Sequence, residues 1–198
     1  MTAAPSRIVI GVTGHRNLET ATCLEERIAG ILEAITRLAP SRKGTPVAMA
    51  ALSPLAEGAD RLVAKEILKR EGTPLDVVLP MDKDDYSADF GVAGSRSEFE
   101  ELLSRARSVR CLSPSPSRAE AYASAGRYVV DHCDVLIALW DGKPEEGSGG
   151  TAEIVRYART KRCPLFWIDT NGAGRVVYEE GRGWPGKKSG RRCRSRGR

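Results

Sequence analysis

The sequence predicts a doubly wound α/β fold, with a mostly parallel sheet of about six strands flanked by helices. Three observations predict it. Short apolar segments alternate with longer amphipathic ones about five times along the chain. Most of the short segments are near-continuous apolar runs, as expected for strands buried on both faces. The longer segments space their apolar residues at helical intervals, leaving one face to bury. Such repetition implies right-handed crossovers.

Each element follows in order. Residues 7–13 carry Ile8, Val9, Ile10 and Val12 and read as the first strand. Leu24, Ile28, Ile31, Ile35 and Leu38 trace one face of a helix over 18–38. Residues 46–52 give the second strand; Ala59, Leu62, Val63 and Ile67 mark a helix over 58–71. After a strand at 75–79, Phe99, Leu102, Leu103 and Ala106 define a helix over 97–107. A strand at 108–112 precedes a helix over 119–132, built on Ala121, Tyr122, Ala125 and Val129. Residues 135–140 form the fifth strand, and Ile154, Val155 and Ala158 face inward from a helix over 151–161. Residues 164–168 are the sixth strand, and 175–178 fit a last edge strand. No internal repeat is present.

The length, 198 residues, suits one domain with a tail. The division expected is a domain over 1–180 and a basic, disordered tail over 181–198, or an abnormal terminus. The net charge of +5 belongs to that tail, which holds eight basic residues and no acid. Residues 1–180 have 23 basic against 26 acidic side chains, a mildly acidic balance. No apolar run approaches a membrane span, and no signal segment is expected. Five cysteines without a CxxC give no zinc or disulfide pattern. Four of them adjoin apolar segments and read as packing residues, and a reducing cytoplasm is the expected location.

In an open parallel sheet, ligands bind beyond the carboxyl ends of the strands. Three glycine-bearing loops fall there: Gly11-Val-Thr-Gly-His-Arg-Asn17, Ser53-Pro-Leu-Ala-Glu-Gly-Ala-Asp60, and the stretch from Trp140 to Glu153. Each leads towards a helix start, whose unpaired N–H groups suit phosphate. Thr151 reads as an N-cap or a phosphate ligand. GxGxxG, GxxxxGK[ST] and GxSxG are all absent, so an ordinary dinucleotide fingerprint, a P-loop and an α/β-hydrolase are not expected.

Thr13-Gly14-His15-Arg16, Glu57-Gly58-Ala59-Asp60 and Gly149-Gly150-Thr151-Ala152-Glu153, in this order, resemble the SLOG superfamily of Rossmann-like nucleotide-binding domains. The resemblance covers roughly residues 7–170. It implies a pocket for a nucleoside phosphate or an ADP-ribose derivative, often sensed within bacterial conflict systems. Some branches hydrolyse an N-glycosidic bond and carry PGGxGTxxE. Here the leading Pro-Gly-Gly is not reproduced, and Glu153 lies two residues after Thr151, so sensing is expected before turnover.

On this reading Gly14, Arg16, Gly58, Gly149, Gly150 and Thr151 cradle phosphate. Glu57, Asp60, Asp141 and Glu153 read ribose or polarise the reacting centre. Each has a plainer role beside it. Arg16 is a bidentate phosphate clamp or an exposed loop arginine. His15 positions a ribose, exchanges protons, or packs. Ser53 donates to phosphate or shapes a turn. Asp60 and Glu153 also suit the first turn of a helix by dipole compensation. Tyr86 stacks on a base, or the acids around it, Asp82 to Asp89, are solvated loop residues. They are also the only stretch suggesting Mg²⁺, and no cofactor is indicated. His132 reads as a helix cap, and Cys133 has no activating partner for a nucleophile. If the protein is an enzyme, Glu153 is its carboxylate, acting on an N-glycosidic bond. The partners expected are the small molecule, a second copy or an effector protein. Nucleic-acid binding through the tail is a lesser alternative.

Overall fold

The structure, a computed structural model, describes residues 7–18, 23–39, 47–144, 150–171 and 174–182. The expected tail, apart from Gly181 and Arg182, and the start of the expected first helix lie outside the described residues.

Seven strands form one sheet in the order β4-β3-β2-β1-β5-β6-β7. The strands are β1 (Arg7–Gly14), β2 (Ala48–Ser53), β3 (Leu75–Leu79), β4 (Ala106–Cys111), β5 (Val135–Trp140), β6 (Leu165–Asp169) and β7 (Val176–Glu179). All pairs are parallel except β6 with β7. The edge strand expected at 175–178 is therefore present and antiparallel.

The apolar runs work as their pattern predicts, because both faces of the central strands are covered. Ile8, Ile10 and Val12 of β1 share one core with Ile28, Ile31, Leu32 and Ile35 of α1 (Leu24–Leu38) and Val63, Ala64 and Ile67 of α2 (Ala59–Leu68). α3 (Lys83–Ser87) and α4 (Ser95–Ser104) add Tyr86, Phe99 and Leu102 to it. On the other face, Leu136, Ala138 and Trp140 of β5 meet Val129 and Val130 of α5 (Arg118–His132) and Ile154, Val155 and Ala158 of α6 (Thr151–Lys161). At each burial, roughly 25 cal/mol per Å² of apolar surface favours the fold.

Three expectations need correction. β4 is exposed along nearly its whole length, because it is the sheet edge and its polar Arg107 and Ser108 bind Asp76 instead of filling a core. The segment around Asp82 is not a plain loop: Asp82 caps α3 by accepting from Asp84 N at 2.9 Å. Of the four cysteines among the described residues, Cys23 and Cys111 are exposed, and Cys133 and Cys163 are packed, their sulfurs 3.7 Å apart. His132 is the last residue of α5, its Nδ1 lying 2.8 Å from Tyr128 O, and the C-cap position itself is Cys133. No helix among the described residues is long and apolar enough to cross a membrane.

The strand order fixes where a ligand can go. From β1 the chain builds outward to β4 on one side and, starting again at β5, to β7 on the other. The loops leaving β1 and β5 therefore diverge and open a crevice at their carboxyl ends. α5 must lie close on β1 to cover the other face. A Cβ on Gly11 would stand 2.7 Å from Val129 Cγ1 and 2.8 Å from Cys133 Sγ.

Two glycine substitutions test this packing by urea denaturation. Gly11→Ala is expected to cost about 1–3 kcal/mol through overpacking. Gly30→Ala, on an exposed helical position with nothing within 4 Å of the added carbon, is expected to stabilise by about 0.5–1 kcal/mol. Equal effects at both positions would contradict the close α5–β1 contact.

Candidate functional site

The loop after β1 is held by backbone. Gly14 pairs with Leu139 at the end of β5. His15 N then donates to Leu139 O at 3.0 Å, and His15 O accepts from Ala59 N at 3.1 Å. Two glycines permit this. A Cβ on Gly14 would lie 2.4 Å from Ala59 Cβ and 2.7 Å from Leu139 O. Gly58, at φ +76°, has Arg16 O 2.2 Å and His15 O 2.5 Å from where a Cβ would stand. Sequence reasoning gave both glycines to phosphate. Their geometry instead serves the contact between the first two loops.

That contact aims Arg16 outward among three clefts. The largest, about 390 Å³, is walled by Gly14, His15, Arg16, Trp140, Asp141, Lys143, Pro144, Gly150, Thr151 and Ala152. Gly150, not Thr151, is the N-cap of α6, and as a glycine it brings no capping side chain of its own. The first-turn N–H groups therefore face a cleft that also holds Arg16 and Lys143, a setting for an anion. Asp141 already has two side-chain partners. Its carboxylate lies 3.0 Å from His15 Nε2 and 3.1 Å from Lys143 Nζ. Burial alone would raise its pKa, but the Lys143 N–H, the Lys143 ammonium and His15 outweigh it and hold the carboxyl below its ordinary value. The same His15 nitrogen also lies 3.1 Å from Asp141 N, so it meets one partner as donor or the other as acceptor.

Behind Arg16 lies a smaller chamber of about 130 Å³, sharing Gly14, Arg16 and Thr151 with the large cleft. Its polar walls are Thr13, Asp60, Tyr86 and Tyr122. Tyr122 sets the arginine. The guanidinium overlies its ring at 5.0 Å. The Tyr122 hydroxyl donates to Asp89, which Arg118 grips from outside at 2.8 Å. Asp60 is buried, and desolvation pushes its pKa up to about 7, against the Ala56 N–H, Arg16, Arg61 and Ser53. Tyr86 is wholly buried, with Phe90, Phe99 and Tyr122 around its ring, so the expected stacking on a base is excluded by packing.

A third cleft, about 310 Å³, opens between Arg16, Glu57, Gly58, Arg61 and the turn at Val92–Ser95. Glu57 is engaged there: it accepts from Val92 N at 3.2 Å. Arg61, only 2% exposed, is held by Leu55 O, Ser95 and Glu98.

The structure thus brings Gly14, His15, Arg16, Asp141, Gly150 and Thr151 together, with Asp60 just behind them. It does not bring Ser53, Glu57 or Glu153 to the large cleft. Ser53 is fully buried, and its Oγ accepts from Leu55 N at 3.0 Å, holding a residue with φ +58°. Glu153 accepts from Arg127 at 2.8 Å across the α5–α6 interface and lines none of the three Arg16 clefts. Gly149 lies outside the described residues. Among the described residues, no group of three His, Cys, Asp or Glu side chains could hold a metal. Sequence reasoning missed Lys143, Tyr122 and Arg61. Lys143 was legible as the one cation between Asp141 and the glycine run; Tyr122 and Arg61 act through neighbours distant in sequence.

No family model matches the chain, and no curated protein does. Among solved structures it is similar to DNA processing protein A from Helicobacter pylori, a protein that binds single-stranded DNA. The TM-score is 0.52 at 14% identity, over 81% of this chain. The chain spans 64% of the length of that structure. At this identity the likeness shows the fold: a Rossmann-like α/β sheet.

The buried Asp60 gives a signed prediction. With its pKa raised to about 7, the native state holds a proton that an unfolded aspartate releases near pH 4. Its stabilising contribution is complete below about pH 4 and is lost as pH rises through about 7. Asp60→Asn removes this dependence. Relative to the parent, the variant is expected to gain stability from pH 5 to 7, by at most about 1.4 kcal/mol per pH unit. Denaturation curves that shift in parallel across that range would contradict the assignment.

Proposed function

We propose that this protein binds a phosphate-bearing, nucleotide-derived ligand in the cleft between the β1 and β5 loops, as a sensing module. The observation that carries the reading is the meeting of Arg16 and Lys143 with the glycine-capped N-terminus of α6 in one 390 Å³ cleft. Backbone N–H groups and two cations serve an anion, and the switch point of a parallel sheet is where such ligands bind. The SLOG-like residues around Gly14–Arg16, Gly58–Asp60 and Gly150–Thr151 support the same ligand class.

Turnover has less support than binding. An N-glycosidase needs a carboxylate in reach of the sugar. Glu153, the residue expected to supply it, is directed to Arg127. Asp141 is already engaged by His15 and by the Lys143 ammonium.

A second reading has one specific support. The similar protein from Helicobacter pylori binds single-stranded DNA, and nucleic-acid phosphate suits the same cations. A strand differs from a mononucleotide in its reach, so affinity that climbs with oligonucleotide length and falls steeply with salt would favour it.

Arg16→Gln separates binding from folding, since its side chain projects from an exposed loop position. AMP, ATP, NAD⁺ and ADP-ribose are to be titrated against both proteins by calorimetry. At least one is expected to bind the parent, and Arg16→Gln to weaken it ten-fold or more, with the melting temperature of the free protein nearly unchanged. Glu153→Gln is expected to retain the parent's affinity. Equal affinity in Arg16→Gln would remove the site.

A further inference from the structure

At the end of the sheet opposite the ligand cleft, two thiols meet. Cys133 leaves α5 in an extended conformation and stands just before β5; Cys163 follows α6 and stands just before β6. These two strands are parallel neighbours that pair Leu136 with Leu165. Carried back along the chain, that register places Cys163 beside Asp134, next to Cys133. Neighbouring strands run about 4.8 Å apart, inside the roughly 4.4–6.8 Å between Cα atoms that a disulfide spans. The sulfurs are already 3.7 Å apart, so a side-chain movement closes them to bonding distance. Both residues are half-buried, which keeps a small solute within reach of them.

We propose that Cys133 and Cys163 form a reversible oxidation site, a dithiol that a peroxide converts to a disulfide within the chain. Cys163 is the attacking sulfur. Its hydrogen bond with Cys133 and the Leu136 N–H hold its thiol below the ordinary value, against burial and Asp134. The same sulfur–sulfur bond and burial push the Cys133 thiol up. The Cys163 thiolate attacks one peroxide oxygen: an S–O bond forms, the O–O bond breaks, and hydroxide leaves to become water. Cys163 is then a sulfenic acid. The Cys133 sulfur attacks it: the S–S bond forms, the S–O bond breaks, and the hydroxyl leaves as a second water with the Cys133 proton. Two electrons pass from the thiols to the peroxide. The chain between the two cysteines carries β5, Asp141, Lys143, Gly150, Thr151 and α6, which is one side of the cleft described above. Closing that loop constrains the unfolded chain and stabilises this unit of the fold.

The test treats the full chain with hydrogen peroxide under native conditions, beside a variant carrying Cys23→Ser, Cys111→Ser and Cys193→Ser that keeps only this pair. Both proteins are then alkylated, digested and weighed by mass spectrometry. Both are expected to yield one linked pair of peptides containing Cys133 and Cys163, lighter by two hydrogens than the separate peptides. Non-reducing electrophoresis of the variant is expected to place the bridge within one chain. Its oxidised form is expected to melt about 5–10 °C above the reduced form, and dithiothreitol to reverse both changes. Adding Cys133→Ala is expected to leave Cys163 as a sulfenic acid that dimedone traps, and adding Cys163→Ala to abolish the melting shift. Free, alkylated Cys133 and Cys163 after treatment of the parent show a pair that is packing alone and overturn the proposal. Sulfinic acid without a bridge, or a bridge formed only between chains, overturns it as well. The parent supplies these readouts by itself, so poor folding of a variant does not shield the proposal.

Discussion

The backbone contact between the first two loops is the constraint on which the site depends. His15 is bonded on one side to β5 and on the other to the start of α2. Gly58 lies against the carbonyls of His15 and Arg16, where no side chain fits. This fixes the one exposed arginine among the three clefts to within the play of its own side chain. Tyr122, Asp89 and Arg118 narrow that play further, so the cation is positioned before any ligand arrives. Preorganisation of this kind lowers the ordering cost of binding.

The electrostatics divide the site in two. The outer cleft carries cations and helix N–H groups, and its one acid among the described residues, Asp141, is engaged by His15 and Lys143. The inner chamber carries a carboxyl raised towards neutrality by burial and a hydroxyl without a partner among the described residues. Charge is favoured at the mouth and disfavoured behind it.

Much of the fold was legible in the sequence because buried parallel strands leave an unambiguous trace. Residues 75–79, 135–140 and 151–161 fold over the very spans their apolar residues mark. β4 was harder, because an edge strand keeps polar residues whose partners, such as Asp76, are distant in sequence. α3 is one turn set by a capping aspartate, too short for any periodicity. Of the site, the loops were legible and the roles were not. A glycine that admits a ligand and one that admits another loop look alike in sequence, as Gly14 and Gly58 demonstrate. A first-turn glutamate is equally silent about the arginine on the next helix, and Glu153 meets Arg127. Tyr86 is the opposite case: the sequence drew attention to it, and packing turned its ring inward among Phe90, Phe99 and Tyr122.

The central claim is that the ligand sits at the carboxyl edge between β1 and β5. Amide chemical-shift mapping with AMP added to the ¹⁵N-labelled protein tests it directly. The account predicts perturbations concentrated at Gly14 to Asn17, Asp141 to Lys143 and Gly150 to Ala152, with Tyr86 following. Perturbations centred instead on Val9, Asp76, Arg110 and His132, which line a separate cleft, or confined to the basic residues from Lys187 onward, would contradict it.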